Sequence, residues 1–292
     1  MTRREAVALL SGAAALKLRA APALPSLCLF SQILSRITYT DLGEIVKQIG
    51  FDGVDLTIRP GGHVEPRLSS VDLVRAFESV RGAGLECPLI TTALTSPMDP
   101  GALAVLAISG RTQIPLFRTG NWMPENVNYR RDIAGLVSIG SRYGIAMALH
   151  NYTGENAGEA PWDVAQALAP LDPKWAGAFF DPIHGRARWE EALLPLLPRL
   201  KAVAVKDFQL TKSGESKAAP CPLGEGVVDW PHFFGMLAQA GFAGPLSLRI
   251  EYAPKDELAA IARDYEFARK QINAAYVRMG SGSGAGSGSG PG

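Results

Sequence analysis

Short, unbroken apolar runs alternate along the chain with longer stretches in which apolar residues recur every three or four positions. The runs are Leu27–Phe30, Val54–Ile58, Leu89–Thr92, Pro115–Arg118, Ala146–His150, Ala178–Asp181, Ala202–Val205 and Leu246–Glu251. Four to six largely apolar residues are the pattern of a strand covered on both faces, as in a parallel sheet. The intervening stretches carry helix signals. Thr40 or Asp41 precedes LGEIVKQIG, Ser70 precedes VDLVRAFESVRGAG, and Asn126 or Asn128 precedes YRRDIAGLVSIGSRYG. Gly50, Gly84, Gly144 and Gly241 stand just past the expected helix ends, where a left-handed residue is wanted. Eight strand–helix units in succession predict an α/β protein folded as a single (β/α)8 TIM barrel. The weakest unit is the third helix, because GALAVLAISGRTQ is short and broken by glycine.

A doubly wound sheet would alternate similarly, but no GxGxxG turn follows the first strand. The one glycine-rich piece, LGEG at 223–226, comes late and opens on no helix, so it reads as a turn bordering the barrel mouth. The length of 292 residues with 47% apolar and 20% charged content suits one large core. A net charge of +1 provides no footprint for nucleic acid. Cys28, Cys87 and Cys221 are odd in number and widely spaced, which points to neither a disulfide framework nor a thiolate metal cage.

Both ends differ from the middle. Residues 1–23 place Arg3-Arg4 before an apolar run and close on Ala21-Pro22-Ala23, the layout of a twin-arginine export signal, too short to span a bilayer. The expectation is export to a bacterial periplasm, with an amphipathic helix of a cytoplasmic protein as the alternative. Residues 24–279 are expected to form the barrel. Residues 280–292 are almost wholly Gly and Ser and read as a flexible tail.

A barrel of this kind carries its chemistry at the carboxyl ends of the strands. Polar residues crowd there: Arg59 and His63 after the second run, Arg118 ending the fourth, His150-Asn151 the fifth. Asp181 and His184 end the sixth, Lys206-Asp207 the seventh, and Glu251-Tyr252 the eighth. Singly, each has an ordinary role as a cap, an ion pair or a satisfied core histidine. Together, His150, Asp181, Lys206 and Glu251 come from consecutive strands and converge on one pocket, whose mixed N/O donors suit Mn, Co, Mg or Zn. His232, on a helix, is expected to be structural.

The pieces FDGVDLTIRPGGHV, ALHN, FDPIH, VAVKDF, PLGEGVVDW and LSLRIEY make residues 26–275 resemble the xylose-isomerase-like barrels, a superfamily of sugar (phosphate) isomerases and epimerases that also includes abasic-site nucleases. The resemblance implies a metal held by Glu, Asp, His and Glu on strands five to eight, with the two glutamates moving a proton. Asp181 and Glu251 match two of these positions, and His184 matches a substrate-contacting D-x-x-H histidine. Two positions depart: His150 stands where the strand-five Glu is expected, and Ala204 where the strand-seven His is expected.

The resulting expectation is an enzyme that moves a proton next to the carbonyl of a small carbohydrate, a sugar or sugar phosphate, through an enediolate. Glu251 is the expected base, with Lys206 and His150 replacing part of the usual machinery. Asp181, Glu251 and His150 are the expected ligands of a divalent metal ion, and Lys206 the electrophile without one. His184, Arg59, His63 and Arg118 are expected to bind the substrate. Elimination from a keto-sugar begins with the same step. The rival readings are a sugar-binding barrel without catalysis, which the two departures favour, and a metal-dependent nuclease, which the scarcity of histidine and the neutral charge disfavour.

Overall fold

The computed structural model describes residues 23–121, 128–151, 160–210 and 218–281. The segment up to residue 22 on which the export expectation rests, the tail from 282, and Asn126 lie outside them. Eight parallel strands close into a barrel: β1 (Leu27–Phe30), β2 (Gly53–Ile58), β3 (Glu86–Thr92), β4 (Leu116–Arg118), β5 (Ala146–His150), β6 (Ala176–Phe180), β7 (Leu200–Val205) and β10 (Leu246–Leu248), which returns to β1. The expected (β/α)8 architecture is therefore the observed one. Between β7 and β10 lies an antiparallel hairpin that the apolar pattern does not announce, β8 (Asp207–Leu210) with β9 (Ala218–Cys221).

Among the described residues eight helices surround the barrel: α1 (Tyr39–Ile49), α2 (Ser69–Gly82), α3 (Ala102–Arg111), α4 (Tyr129–Tyr143), α5 (Ala160–Leu168), α6 (Trp189–Leu193), α7 (Trp230–Ala240) and α8 (Glu257–Ser281). None is long and apolar enough to cross a membrane. Three end on left-handed glycines, Gly50, Gly144 and Gly241. The first helix starts earlier than its sequence signals indicate, at Tyr39 behind Thr38. The third helix forms despite its glycine, and the packing explains why that glycine is there. A β-carbon on Gly110 would lie 2.2 Å from the Tyr143 carbonyl oxygen, so only glycine lets α3 lie this close to the end of α4.

Two cores result from the two faces of the strands. The larger fills the space between sheet and helices; in α7, Trp230, Phe233, Phe234 and Leu237 repeat at helical spacing and are fully buried there. Each such side chain contributes roughly 1.5–3 kcal/mol. The smaller core fills the barrel lumen with Leu89, Leu116, Ala146, Ala148, Phe179, Ala202 and Ala204. Because side chains alternate across a strand, the next inward positions along the same strands are Thr91, Arg118, His150, Asp181 and Lys206. The lumen thus turns from apolar to polar toward the carboxyl end.

A buried ion pair braces this polar layer. Arg249, just past β10, donates from Nη2 to Asp55 Oδ2 on β2 at 3.0 Å and to Thr91 Oγ1 on β3 at 3.0 Å. Ser247 and Thr91 also donate to the Asp55 carboxylate, at 2.6 and 2.8 Å. The guanidinium lies 3.9 Å from the Phe30 ring centroid and 4.8 Å from that of Phe179. Asp55 and Arg249 are 0% and 3% exposed, so neither finds water if the other is lost. Removing one partner of such a pair costs about 3–5 kcal/mol. Asp55→Ala is expected to lose stability of that order in urea unfolding, and a loss below about 1 kcal/mol would show that the pair is not a brace.

Candidate active site

The inward residues at the carboxyl ends of β4 to β10 form one cluster around Lys206. Its ammonium lies 2.8 Å from Asp181 Oδ2 and 2.6 Å from Glu251 Oε2, bridging two carboxylates from strands on either side of β7. His150 Nε2 is 3.6 Å and His184 Nε2 4.0 Å from the same Asp181 oxygen. The other Asp181 oxygen accepts from the Ile183 amide at 3.1 Å, which caps the turn carrying His184. Asn151 locks Asp181 from behind: its Oδ1 accepts from the Asp181 amide at 2.8 Å and its Nδ2 donates to the Asp181 carbonyl at 3.1 Å.

Burial and charge act on these groups in opposite directions. Desolvation pushes the Asp181 carboxyl up, but Lys206 and the two histidines carry it well below the usual carboxylate range. Glu251 also ends below its ordinary value, since the Lys206 ammonium outweighs burial and the nearby Asp181 charge. Burial depresses both histidines, His150 strongly and His184 to about 4, so both imidazoles are neutral near pH 7. Arg118, almost fully buried, is lowered to about 9 by desolvation and by the neighbouring Arg249 charge. Its Nη2 lies 2.7 Å from His150 Nδ1 and donates to Asn121 Oδ1 at 3.2 Å.

Six of the eight residues expected at the site thus meet or border one another: Glu251, Lys206, His150, Asp181, His184 and Arg118. Arg59 stands at the rim on the Phe30 ring, its Nε donating to Gln32 Oε1 at 3.0 Å. His63 is not brought to the cluster. Its Nε2 donates to the Leu34 carbonyl at 3.0 Å, and Thr57 Oγ1 lies 3.4 Å from Nδ1, so both ring nitrogens hold the loop after β2. His232 pairs with Glu190 at 3.1 Å on the helical exterior, in keeping with a structural role.

Sequence reasoning passed over Asp55, Thr91, Ser247 and Arg249, although a charged residue inside an apolar run was the available signal. It named Asp207 at the strand end but gave it no part of its own. That carboxylate accepts from the amides of Gly224, Gly226 and Val228 and from Trp230 Nε1, and so pins the LGEG turn beside the mouth. A β-carbon on Gly226 would lie 2.0 Å from Asp207 Oδ1. A groove of about 410 Å³ at the opposite end, between Phe77, Glu86 and Pro115, holds none of these groups.

His150 Nε2, His184 Nε2 and Asp181 Oδ2 are the kind of donors a divalent ion takes, and such ligand atoms from the three residues lie within 4.8 Å of one another. The neutral state of both imidazoles suits ligation. Glu251, expected as a ligand, is not in this group: its Oε2 is held by Lys206.

The family model for xylose isomerase-like TIM barrels matches residues 44–271. The chain belongs to that family. No curated protein matches the sequence. Among solved structures, a xylose isomerase-like TIM barrel protein from Mycobacterium smegmatis in complex with magnesium is 17% identical, with 82% of this chain and 89% of that one covered at a TM-score of 0.63. The 3-keto-D-glucoside 4-epimerase of E. coli is 12% identical over 84% of this chain and 99% of its own, at 0.66. The D-allulose 3-epimerase from Methylomonas sp., solved with D-allulose, is 14% identical over 86% and 99%, at 0.63. At these identities the likeness is one of fold.

The buried neutral imidazoles have a consequence for stability. A folded-state pKa below the unfolded one means that the unfolded chain binds the proton first, so stability present above about pH 6.5 is lost as pH falls toward 4. For His184, with a value of about 4, the loss by pH 4 is on the order of 3 kcal/mol. Urea unfolding of wild type and His184→Asn between pH 7 and 4 is expected to show the steeper fall in wild type. Parallel pH profiles would mean that His184 is not held neutral.

Proposed function

We propose that this protein is a carbohydrate isomerase or epimerase that moves a proton on a carbon next to a sugar carbonyl. The carrying observation is the Lys206 bridge between Asp181 and Glu251, which sets a base and a positive centre side by side at the carboxyl face of the barrel. Family membership and the carbohydrate epimerases among its structural relatives support the substrate class.

Glu251 Oε2 is engaged by Lys206, whereas Oε1 has only a 3.9 Å contact to Arg249 Nη1. A third of the Glu251 side chain is exposed, more than of any other group in the cluster. Oε1 is therefore the atom that takes the carbon-bound proton. The C–H electron pair becomes the enediolate double bond, and the carbonyl oxygen takes up the negative charge. Lys206 stands ready to donate to that oxygen. At rest its charge makes Glu251 a weak base; once the ammonium turns to the substrate oxygen, Glu251 gains proton affinity as the proton is taken. Glu251 returning the proton to the adjacent carbon gives the isomer, whereas the epimer needs a proton delivered to the opposite face by a second acid. In this reading His184, 16% exposed, bonds a sugar hydroxyl.

His150, Asp181 and His184 fit a divalent ion in donor type and spacing, and such an ion, when bound, polarises the carbonyl as a Lewis acid. Lys206 shares Asp181 Oδ2 with that site and competes for it. The expected result of elemental analysis is one divalent ion per chain, bound more weakly in Asp181→Ala and more tightly in Lys206→Ala. Full activity of metal-free protein in chelator would reject the ion and leave Lys206 as the sole electrophile.

The function itself is tested by proton exchange with deuterated water over a panel of ketoses, aldoses and 3-keto sugars. Glu251→Gln keeps the shape and removes the base, so exchange is expected to fall at least about 100-fold with little change in melting temperature. Retained exchange in the variant would remove Glu251 as the base. Absence of exchange on every sugar would favour a binding protein.

A further inference from the structure

Lys206 is the one buried lysine among the described residues, and the other cations at the carboxyl end of the lumen, Arg59, Arg118 and Arg249, are guanidinium groups. A guanidinium keeps its proton and is no nucleophile, whereas an amine that gives up one proton bares a lone pair. An acceptor for that proton touches the amine: Nζ donates to Glu251 Oε2 at 2.6 Å. A third of the Glu251 side chain is exposed against 6% of Lys206, so the amine is approached from the Glu251 side. On its other side Asp181 Oδ2 lies 2.8 Å from Nζ. That carboxylate is fixed in place, because the Ile183 amide holds its second oxygen and Asn151 holds its backbone.

The two carboxylates stabilise a single positive charge at Nζ, and an iminium nitrogen carries that same charge at the same atom. They therefore favour a covalent C=N adduct as they favour the resting lysine, and no ion pair has to be rebuilt when one becomes the other. Resting on the proposed function, we propose that Lys206 is a nucleophile that condenses with the ketone of a keto sugar, so that the proton leaves a carbon next to an iminium. Lys206 passes one proton to Glu251, its lone pair attacks the carbonyl carbon, and the C=O π pair moves to oxygen, which takes the proton from Glu251. A second proton passes from nitrogen through Glu251 to the same oxygen. Water leaves with the C–O pair, and the nitrogen lone pair closes the C=N bond. Glu251, a carboxylate again, takes the proton from the adjacent carbon; the C–H pair forms a C=C bond and the C=N π pair returns to nitrogen. Return of the proton and addition of water release the sugar and the lysine. The carbonyl keeps its place, because protonating the former carbonyl carbon would leave the sugar on Lys206 as a secondary amine. The chemistry is thereby confined to the carbon beside the ketone.

Borohydride added to the full-length protein during turnover of the ketose and 3-keto sugar panel reduces an iminium to a stable secondary amine. The intact mass is expected to rise by the sugar plus two hydrogens less one water, with peptide mapping placing the adduct on Lys206. In heavy-oxygen water the carbonyl oxygen is expected to be replaced at least as fast as the adjacent proton exchanges, because forming the imine expels it. Lys206→Arg keeps a cation between the two carboxylates but cannot form the C=N bond, and its proton exchange is expected to fall at least about 100-fold. A smaller fall in that variant, or wild-type exchange with no adduct at Lys206 or with the carbonyl oxygen retained, overturns the imine and keeps the proton transfer. An adduct at Lys206 with no exchange at the adjacent carbon keeps the nucleophile and rejects the proton transfer. Neither adduct nor exchange on any sugar rejects both. Should Lys206→Arg fail to fold, trapping and oxygen exchange on wild type decide alone.

Discussion

The pairing of Arg249 with Asp55 lets the carboxyl end of this barrel be polar without coming apart. Asp55 lies on β2 and Arg249 beyond β10, with β1 between them, so the pair reaches across one strand inside the lumen. Four hydrogen bonds from Arg249, Thr91 and Ser247 leave no Asp55 oxygen unmet. The Phe30 and Phe179 rings both lie against the guanidinium, and Phe179 also packs with the lumen alanines. An isolated charge at this depth would cost several kcal/mol, and the network returns enough of that to hold the layer in one arrangement. Lys206, Glu251 and Arg118 stand on that layer.

The second organising feature is strand parity at β7. Lys206 and Asp207 are neighbours in sequence, yet one points into the lumen and the other away from it, because consecutive side chains alternate across a strand. Lys206 joins Asp181 in the inward polar cluster, and Asp207 ties down the LGEG turn and Trp230 at the start of α7. A dipeptide that reads as a surface ion pair therefore serves two separate ends, and neither residue contacts the other's partners. The turn at the mouth and the cation in the pocket are fixed by adjacent backbone atoms.

How much of this was legible follows from the same parity. Unbroken apolar runs announce buried parallel strands, and a polar residue ending each run announces the carboxyl face; those two signals locate Asp181, His150, Lys206 and Glu251. They cannot say which of two consecutive polar residues points inward, so Asp207 went unassigned. Nor does a motif reveal a histidine's use: both ring nitrogens of His63 are taken by Leu34 and Thr57, contacts made through folded loops rather than spacing. Asp55 within VDLTI and Arg249 within LSLRIEY were readable in principle, since a charge in a strand buried on both faces requires an opposite charge nearby. The β8–β9 hairpin was not, because its strands are short, lie outside the barrel and carry no run.

Against the pattern that the sequence resemblance implies, the two departures act in the same electrostatic direction: a histidine at 150 carries no negative charge where a glutamate is implied, and Ala204 offers no ligand where a histidine is implied, its methyl group packing with the other lumen alanines. With fewer anions and fewer neutral donors, the carboxylates that remain turn to Lys206, and its charge lowers the proton affinity of both. A base held in this state reacts only when something draws the ammonium away. An oxygen that becomes negative during proton removal does so at the moment the base is needed, so the same ion pair that lowers the proton affinity of Glu251 couples the two halves of the proposed step.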